Sequence, residues 1–492
     1  MFVGGTGTAL TKFRARPEEA HALMCGVLKR ARAQGFLTRR LGRGVHLCDA
    51  DAALLMLTLA PPADPRTEPR DTYLLSGTVT GGMPSELTRT LLSLVEDIGF
   101  TPLETSELRA GMPLLSNLTT RLDGVALVIV GHLMTDLVVQ AEKALELGAS
   151  AITVLCKDYP YQLRRRVSAH LRSSGVTVAP ISVEAMRSHL STVDHPTVVI
   201  DDGGYVLPSL LTEAPHLLSS VRGVVEQTMS GIYRLEPFSS LPVPVFSVAE
   251  SRMKGTIESY WVADTAVRAV RDLIPDEPLE GRPALVIGFG NVGERLASVL
   301  RSLRMRVAVH DLDVLRRLSA SEQGYTTSGD LSVLLRDHGP LLIFGTTGRG
   351  SLHDEHFGLL PPGAHLASVS SRDVEFDLPA LAGQARRVDD LAVVGTRYHL
   401  RQGPVTVLAD GFPVNFHHRE SMSNRHSDLT MSALLVGASA LAQPGHDFTP
   451  GHNVARSNAV LASSGLAEAF YSLGVPAPTV PSSRRPPARS RR

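Results

Sequence analysis

The chain has 492 residues, enough for about two or three domains. Its 49 basic and 49 acidic side chains balance, so no overall field would concentrate nucleic acid or an anionic membrane, and small-molecule chemistry is favoured. Three scattered cysteines do not support a disulfide framework or a Cys-based metal site, which is typical of a reducing cytoplasm, and the sequence has no signal peptide and no apolar run of about 18 residues.

Residues 1–70 form the first predicted unit, a small α+β extension. Apolar residues recur with helical spacing over 17–35, and several arginines accompany them. This extension either packs on the main body or on a partner subunit, or it is a separate binding module. Residues 61–71 are rich in proline and charged residues, and this composition predicts a linker.

Residues 71–250 are predicted to form a parallel-sheet substrate domain, because short apolar strands alternate with amphipathic helices. The strands are expected at 125–130, 151–155 and 197–200, and the helices at 137–147 and 164–173.

Two polar side chains of this domain stand at strand ends. His132 follows the strand at 125–130, and Asp202 follows the strand at 197–200. Residues at the carboxyl ends of parallel strands face the ligand crevice of such a sheet, so both side chains are candidates for chemistry.

A glycine motif follows the apolar strand predicted at 284–287. Gly288, Gly290 and Gly293 have the G-x-G-x-x-G spacing where the strand turns into a helix. These glycines permit a tight turn, close approach of a pyrophosphate to the backbone, and close packing of helix on strand. A dinucleotide site is therefore predicted, with a coincidental glycine-rich turn as the alternative.

The identity of the dinucleotide follows from the next strand, predicted at 306–309, and from Asp311 at its end. A carboxylate here is placed to accept the ribose hydroxyls and would repel a 2′-phosphate. NAD rather than NADP is therefore the expected cofactor.

The expected fold class is α/β, with two doubly wound parallel-sheet (Rossmann-like) domains in addition to the N-terminal α+β extension. Residues 251–415 form the NAD-binding domain, with later strands at 341–345, 364–369 and 405–408. Residues 416–474 are a C-terminal segment that returns to the substrate domain and contains an apolar helix at 429–442. Residues 475–492 contain arginine but no acid, and they are interpreted as a disordered basic tail or as an anion-binding arm.

Over about residues 120–445 the chain resembles S-adenosylhomocysteine hydrolase. The motifs that carry the resemblance are Asp201-Asp202-Gly203-Gly204, the run 222–231, the stretch 251–261 around Lys254, the Gly288 motif, the run 373–377, and the run 397–400 leading to Asn415. In that family a bound NAD oxidises the adenosyl ribose at C3′, the C4′ proton is removed, the 5′ thioether leaves as homocysteine, water adds, and the ketone is reduced again.

The resemblance implies an enzyme, a thioether hydrolase of the adenosylhomocysteinase type, with NAD as cofactor and no metal. The substrate would be an adenosine-type nucleoside or an analogue of S-adenosylhomocysteine. The protein would be a cytoplasmic homo-oligomer, with no nucleic-acid or membrane partner.

Five side chains receive catalytic roles from the resemblance. Lys254 would assist oxidation at C3′, and Glu258, where the family has Asp, would hold it; without the resemblance the two would be an ordinary i,i+4 surface ion pair. Asp202 and His132 would form the acid/base pair near C4′ and C5′. His426 would act near the leaving sulfur and the incoming water.

The assignment of His426 requires an insertion after Asn415. His417 and His418 lie in this inserted loop and are alternatives for the same role. A metal site formed by these three histidines and Asp428 is a further interpretation, although the spacing matches no zinc signature.

The resemblance also implies two sets of binding residues. The NAD set is Thr228, Ser230, Gly288, Gly290, Asn291, Val292, Gly293, Asp311, Thr346, Thr347 and Asn415. The substrate set is Met134, Asp136, Glu226 and Gln227.

The chain departs from the family at several polar positions. Gln227, Ser259 and Ser371 stand where the family has an acid, Asn and His, respectively, so the NAD pocket is retained while the substrate pocket is remodelled. Three hypotheses follow: cleavage or synthesis of a 5′-thioether nucleoside, an NAD-dependent nucleoside dehydrogenase or epimerase, and a non-catalytic NAD-binding regulator.

Overall fold

The computed structural model of the chain describes residues 7–42, 45–50, 53–61, 69, 71–80, 85–159, 163–419 and 421–474. Over these ranges the chain forms three sheets, of which two are largely parallel and one is antiparallel. The predicted α/β class, with two Rossmann-like sheets and a small N-terminal unit, is confirmed. The predicted C-terminal tail and most of the predicted linker lie outside the described residues.

The N-terminal unit is a five-stranded antiparallel sheet covered by two helices. Its strands are β1 (Gly7–Arg14), β2 (Leu37–Gly42), β3 (Val45–Ala50), β4 (Ala53–Ala60) and β5 (Thr72–Thr80), in the order β1-β5-β4-β3-β2. Its helices are α1 (Pro17–Ala33) and α2 (Ser85–Glu96). The unit therefore extends beyond the expected boundary at residue 70: β5 pairs with β1 and β4, and local composition does not reveal so remote a pairing.

The second sheet is parallel and lies in the region predicted to be the substrate domain. Its first six strands are β6 (Ala126–Gly131), β7 (Ile152–Cys156), β8 (Thr177–Pro180), β9 (Thr197–Asp201), β10 (Val221–Glu226) and β11 (Pro244–Ser247). The helices around it are α3 (Pro102–Ala110), α4 (Pro113–Ser116), α5 (Thr135–Glu146), α6 (Arg164–Ser173), α7 (Val183–Thr192), α8 (Val206–Glu213) and α9 (Met229–Leu235). Every residue of β6 and β9 is buried, as expected for strands covered on both faces.

The order of the strands in this sheet changes direction between β6 and β9. From β6 the chain continues outward through β7 and β8, whereas β9, β10 and β11 extend on the other side. Such a switch point opens a crevice at the carboxyl ends of its two strands. His132 and Asp202 follow β6 and β9 directly, so the topology brings these side chains together.

The third sheet belongs to the NAD-binding domain and is reached through the long helix α10 (Arg252–Leu273). Its strands are β12 (Pro283–Ile287), β13 (Arg306–His310), β14 (Thr326–Thr327), β15 (Leu342–Gly345), β16 (His365–Ser368), β17 (Arg387–Asp390), β18 (Gly395–His399) and β19 (Pro404–Leu408). The helices between them are α11 (Asn291–Ser302), α12 (Val314–Glu322), α13 (Leu331–Val333), α14 (Asp354–Phe357) and α15 (Leu378–Gln384). Its switch point lies between β12 and β15, while β17 and β18 are antiparallel additions at one edge.

The C-terminal segment packs on the second sheet. Helix α16 (Asn424–Ala442) contacts α5, β9 and β10, and its apolar residues belong to the same core. Helices α17 (Val454–Ser463) and α18 (Leu466–Gly474) follow, and β20 (Gly451–His452) pairs with β11 as a seventh strand. Within the described ranges, no helix combines the length and apolar character needed to cross a lipid bilayer.

Candidate active site

A cavity of about 1070 Å³ lies between the two switch points. Its wall includes His132 and Asp202 from the second sheet, and Gly288 and Thr346 from the ends of β12 and β15 in the third sheet. Ordinary ligand pockets enclose about 300–1,000 Å³. This cavity is therefore large enough for a cofactor and a substrate side by side.

Most of the residues implicated by the sequence line this cavity. They are His132, Met134, Asp136, Asp202, Gln227, Thr228, Ser230, Lys254, Glu258, Gly288, Gly290, Asn291, Val292, Asp311, Thr346, Thr347 and Asn415. Glu226, Gly293 and His426 are not among the described lining residues.

The glycine turn is sterically restricted at Gly288 and Gly293 and exposes the start of α11. Gly288 has φ +99°, and a Cβ on Gly293 would lie 1.9 Å from the carbonyl oxygen of Gly288. By contrast, a Cβ on Gly290 would meet its nearest atom, an Arg316 nitrogen, at 3.7 Å. Gly290 caps α11 without a side-chain hydrogen bond, so the first N–H groups of the helix can bind an anion.

Asp311 is held beside this turn by backbone donors. Its Oδ2 accepts from the Phe289 N–H at 2.6 Å, and its Oδ1 accepts from the Asp313 N–H at 2.8 Å. The Arg316 guanidinium lies 3.7 Å from Oδ2. The carboxylate is therefore fixed at the cavity wall, where it can accept hydroxyl hydrogen bonds with its remaining lone pairs.

Asn415 supplies a further indication of a bound polar group. It lies in the turn Val414–Phe416 and is 1% exposed, and its Nδ2 donates to Ser421 Oγ at 2.8 Å. Its Oδ1 is buried and has no hydrogen-bond partner among the described residues. Buried polar groups are normally paired, so this oxygen fits a ligand donor in the cavity. Together with the glycine turn and Asp311, it makes the cavity suitable for a dinucleotide.

Lys254 and Glu258 lie in the first turns of α10 and point into the cavity. Ser251 caps this helix by accepting from the Lys254 N–H at 3.2 Å. The Lys254 ammonium lies 3.1 Å from Glu258 Oε1, and both side chains are 16% exposed. Glu258 Oε2 accepts from the Thr430 hydroxyl at 2.5 Å. The geometry is thus that of an enclosed, held pair and not of a solvated surface pair.

The Asp202 carboxylate contacts two basic side chains at the other end of the cavity. Its Oδ2 lies 3.2 Å from His132 Nε2, and its Oδ1 lies 2.9 Å from the ammonium of Lys157. Lys157 Nζ is also 3.3 Å from His132 Nε2. The sequence analysis did not identify Lys157. It directly follows β7, however, and residues at the carboxyl ends of parallel strands face the ligand crevice.

Burial and charge fix the ionisation of this group. Burial and the neighbouring Lys157 cation lower the pKa of His132 to about 4. Although burial acts in the opposite direction, Lys157 and His132 hold the pKa of Asp202 well below its ordinary range. At neutral pH the site therefore combines an ionised carboxylate with an uncharged imidazole.

Aromatic rings enclose His132 on the cavity side. The Phe416 ring stacks on the imidazole with centroids 4.0 Å apart, and the Tyr159 ring lies at 5.2 Å. The Tyr159 hydroxyl accepts from the Arg372 N–H at 2.9 Å. Phe416 lies in the turn Val414–Phe416 after the third sheet, so its contact with His132 joins distant parts of the chain and has no local sequence signal.

Of the expected substrate residues, Met134, Asp136 and Gln227 line the cavity, and Glu226 does not. Asp136 lines the cavity, accepts from the Leu137 N–H at 2.8 Å, and has its pKa raised to about 6 by burial. Glu226 is fully buried instead: its Oε1 accepts from the N–H groups of Gly203 and Thr228. Glu226 therefore joins the turns after β9 and β10, while its Oε2 is buried without a hydrogen-bond partner among the described residues, and its contact with a substrate stays a prediction.

The structure does not bring His426 to the cavity. Its ring stacks on Trp261 with centroids 3.5 Å apart, and its Nδ1 lies 2.8 Å from Ser423 Oγ. His417 Nε2 is bound to the Val393 carbonyl oxygen, and His417 and His418 do not line the described cavity. The expected role near the leaving sulfur thus has no geometric support in these three histidines.

The fold and the glycine turn define a doubly wound α/β protein with an NAD-binding domain. Residues 261–420 match the model of the S-adenosyl-L-homocysteine hydrolase NAD-binding domain. The S-inosyl-L-homocysteine hydrolase of Methanopyrus kandleri is 25% identical over 365 residues, which covers 70% of this chain and 84% of that protein. The chain thus contains an NAD-binding domain similar to that of S-adenosyl-L-homocysteine hydrolases, and over most of its length it is distantly similar to an enzyme that acts on a homocysteine thioether.

Among solved structures, the chain is similar to two bacterial dipicolinate synthase chains. The Bacillus halodurans protein is 13% identical with a TM-score of 0.38, over 66% of this chain and 100% of its own. The Bacillus subtilis protein is 12% identical with a TM-score of 0.39, over 66% and 99%. Likenesses this distant carry no argument about function.

Proposed function

We propose that the protein hydrolyses a nucleoside–homocysteine thioether by transient oxidation of the ribose at C3′. The observation that supports this most directly is that two pairs, Lys254–Glu258 and Asp202–His132, line the same cavity as the glycine turn. The first pair has the chemistry needed at a sugar hydroxyl, and the second has the chemistry needed at an acidic C–H bond.

The cofactor would be held by the NAD-binding domain. The N–H groups at the start of α11 would bind the pyrophosphate, Asp311 would accept the ribose hydroxyls, and the free Oδ1 of Asn415 would accept a donor from the cofactor. Bound NAD would supply a reversible hydride acceptor for the C3′ carbon.

Lys254 would hold and move the proton of the 3′-hydroxyl and return it at the end of the reaction. Glu258 accepts the hydrogen bond of the Lys254 amine and is itself held by Thr430. This arrangement limits the orientations of the amine before substrate arrives, which is the main requirement for a positioned base.

Asp202 and His132 would handle the proton at C4′ once C3′ is a ketone. The C4′ proton passes to this pair, the C5′–sulfur bond breaks as a C4′–C5′ double bond forms, and the proton is passed on to sulfur, so that homocysteine leaves as the thiol. Water then gives its hydroxyl to C5′, while a proton returns to C4′. A neutral His132 beside an ionised Asp202 can accept that proton at neutral pH.

The nucleobase would lie at the Asp136 end of the cavity. Asp136 and Gln140 both line the wall and are nearly fully buried, so they can form hydrogen bonds to the edge of a base. The hydrolase of Methanopyrus kandleri is named for an inosyl substrate. Adenosyl and inosyl thioethers of homocysteine are therefore the two substrates to compare.

One observation favours a second function, that of an NAD-dependent nucleoside dehydrogenase or epimerase. Ser371 lines the cavity where the family has histidine, and His426 lies outside it. Serine does not titrate near neutral pH, so the group expected to assist the leaving sulfur is missing among the described lining residues near Asp202, while the oxidising end is intact.

The deciding experiment is thiol release. Purified protein with NAD is mixed with S-adenosylhomocysteine or S-inosylhomocysteine and a thiol reagent, and Lys254→Met is the control. Release that depends on Lys254 is expected. Accumulation of NADH with a free nucleoside, without thiol release from either thioether, would instead support the dehydrogenase.

A further inference from the structure

Lys157 is a lysine enclosed in the candidate active site. It is 2% exposed and directly follows β7, and its backbone N–H donates to the carbonyl oxygen of Gly131 at 3.1 Å. Gly131 is the last residue of β6 and the neighbour of His132. The backbone bond therefore ties the start of the Lys157 side chain to the strand end that carries the imidazole.

The ammonium of Lys157 is committed to the acid/base pair. It lies 2.9 Å from Asp202 Oδ1 and 3.3 Å from His132 Nε2, and the Tyr205 ring faces it at 5.6 Å. A buried ammonium is costly unless it is paired, and here the partners are the two side chains proposed to move the C4′ proton.

We propose that Lys157 is a positioning residue that keeps His132 unprotonated beside an ionised Asp202. This inference rests on the proposed function for its catalytic meaning, but the charge state itself can be measured without turnover.

The electrostatic reason is a competition between two charges for one imidazole. An ionised Asp202 alone would favour the imidazolium form of His132, and such a form could not accept a proton. The Lys157 cation opposes that effect at the same ring nitrogen. It also leaves the three side chains with no net charge, which suits their burial.

Other groups around His132 do not replace this cation. Tyr159 and Phe416 present rings to the imidazole, and Asp136 on the cavity side adds a further acid. Asp201 accepts from the N–H groups at the start of α8, and Glu226 joins the turns after β9 and β10, so both acids lie behind Asp202. Lys157 thus places a positive charge at contact distance from His132.

The direct test is the titration of His132 by nuclear magnetic resonance of the imidazole nitrogens. The signal is assigned by its loss in His132→Gln, and the unaltered full-length protein is compared with Lys157→Gln and Lys157→Arg. In the unaltered protein His132 should be uncharged at pH 6. In Lys157→Gln its pKa should rise by about one unit or more, because a like charge has been removed, whereas Lys157→Arg should stay close to the unaltered protein.

Two results would overturn the inference. One is an imidazolium form of His132 at pH 6 in the unaltered protein, a measurement that needs no Lys157 variant and therefore decides the matter even if Lys157→Gln does not fold. The other is an unchanged titration in a folded Lys157→Gln.

Kinetics give the catalytic half of the test. The acid limb of the kcat/KM profile should move to higher pH in Lys157→Gln and return towards its original position in Lys157→Arg, while oxidation at C3′, followed as NADH absorbance in a single turnover, should be unaffected. If the unaltered protein cleaves no thioether, the proposed function fails, but the titration still decides the role of Lys157.

Discussion

Lys254 Nζ lies 3.1 Å from Glu258 Oε1 on the wall of the cavity that also contains the glycine turn. Further along the same helix, Arg268 and Asp264 form another i,i+4 pair, at 2.8 Å, with the arginine side chain 68% exposed. The two pairs have the same spacing and lie on the same helix, but the first lies in the cavity and the second is exposed to solvent. Mutations in the second pair are therefore matched controls for mutations in the first.

Replacing Lys254 by methionine should remove catalysis while leaving the cofactor in place. A positioned acid or base typically contributes about 10²–10⁴-fold to a rate, and a loss of this size is expected in NADH formation during a single turnover. Titration with NAD should give an unchanged Kd. Arg268→Met is the control, and it should change neither the rate of NADH formation nor the Kd for NAD. Equal losses of rate in both variants would assign Lys254 a purely structural role.

Gly293→Ala should disrupt the glycine turn. Its Cβ would lie 1.9 Å from the Gly288 carbonyl oxygen, so the helix must move, and overpacking of this kind typically costs about 1–3 kcal/mol in the free energy of unfolding. NAD binding should weaken as well. In Gly383→Ala, where the added carbon meets no described atom within 4 Å apart from its own stretch of helix, both properties should be retained or stability slightly increased. Thermal unfolding with and without NAD separates these effects.

Asp311→Ser should reduce the preference for NAD over NADP. The carboxylate repels a 2′-phosphate, and Arg316 lies 3.7 Å from it and would be released to bind such a group. The ratio of the two Kd values should move towards NADP in Asp311→Ser and back towards NAD in Asp311→Ser/Arg316→Ala. If neither variant changes the ratio of the two Kd values, the cofactor ribose does not contact Asp311.

Asp136→Asn should change the preference between nucleobases. A carboxylate only accepts when it is ionised, which suits the exocyclic amine of adenine, whereas an amide can also donate to the 6-oxo group of hypoxanthine. The ratio of kcat/KM for the inosyl over the adenosyl thioether should rise by about tenfold, which corresponds to one hydrogen bond of about 1.4 kcal/mol. No change in the ratio would place the base at another wall of the cavity.

The stability of the protein should fall between pH 6.5 and pH 4 because of His132. Its folded pKa of about 4 lies below the ordinary value of 6.5, so in this window the unfolded chain binds the proton more tightly and the free energy of unfolding decreases as pH falls. At pH 5 the loss from this residue is on the order of 2 kcal/mol.

Urea unfolding at a series of pH values checks this dependence. His189 is a useful comparison, because burial lowers its pKa to about 4 as well, while it sits between the hydroxyls of Thr153 and Thr197 away from the cavity. His132→Gln and His189→Asn should each flatten the dependence, but only the first should abolish turnover. A pH dependence that is identical in His132→Gln and the unaltered protein would contradict the prediction.

The sequence was informative where a rule is local. The strand-end rule identified His132 and Asp202, which the topology then brings within 3.2 Å of each other, and the same rule applied to β7 would have identified Lys157. The glycine spacing located the turn because its requirement is steric and confined to a few residues.

The features that the sequence could not reveal involve relations between distant parts of the chain. Glu226 was grouped with its lining neighbour Gln227, but side chains alternate along a strand and its carboxyl points behind the wall. His426 was aligned by the likeness of its neighbours, whereas its position is decided by the stack on Trp261 from another helix. Phe416 gave no signal, because its partner ring belongs to a distant part of the chain.

Strand β20 completes the second sheet from a position just over two hundred residues after β11, with the whole third sheet in between. On the ribosome, where chains emerge from the N-terminus, the inserted domain has all its strands available while the sheet around it still lacks one edge and helix α16. The topology is thus compatible with cofactor binding during synthesis, before the second sheet, which holds Asp202, is complete. A chain released early would bind nucleotide without a complete active-site cavity.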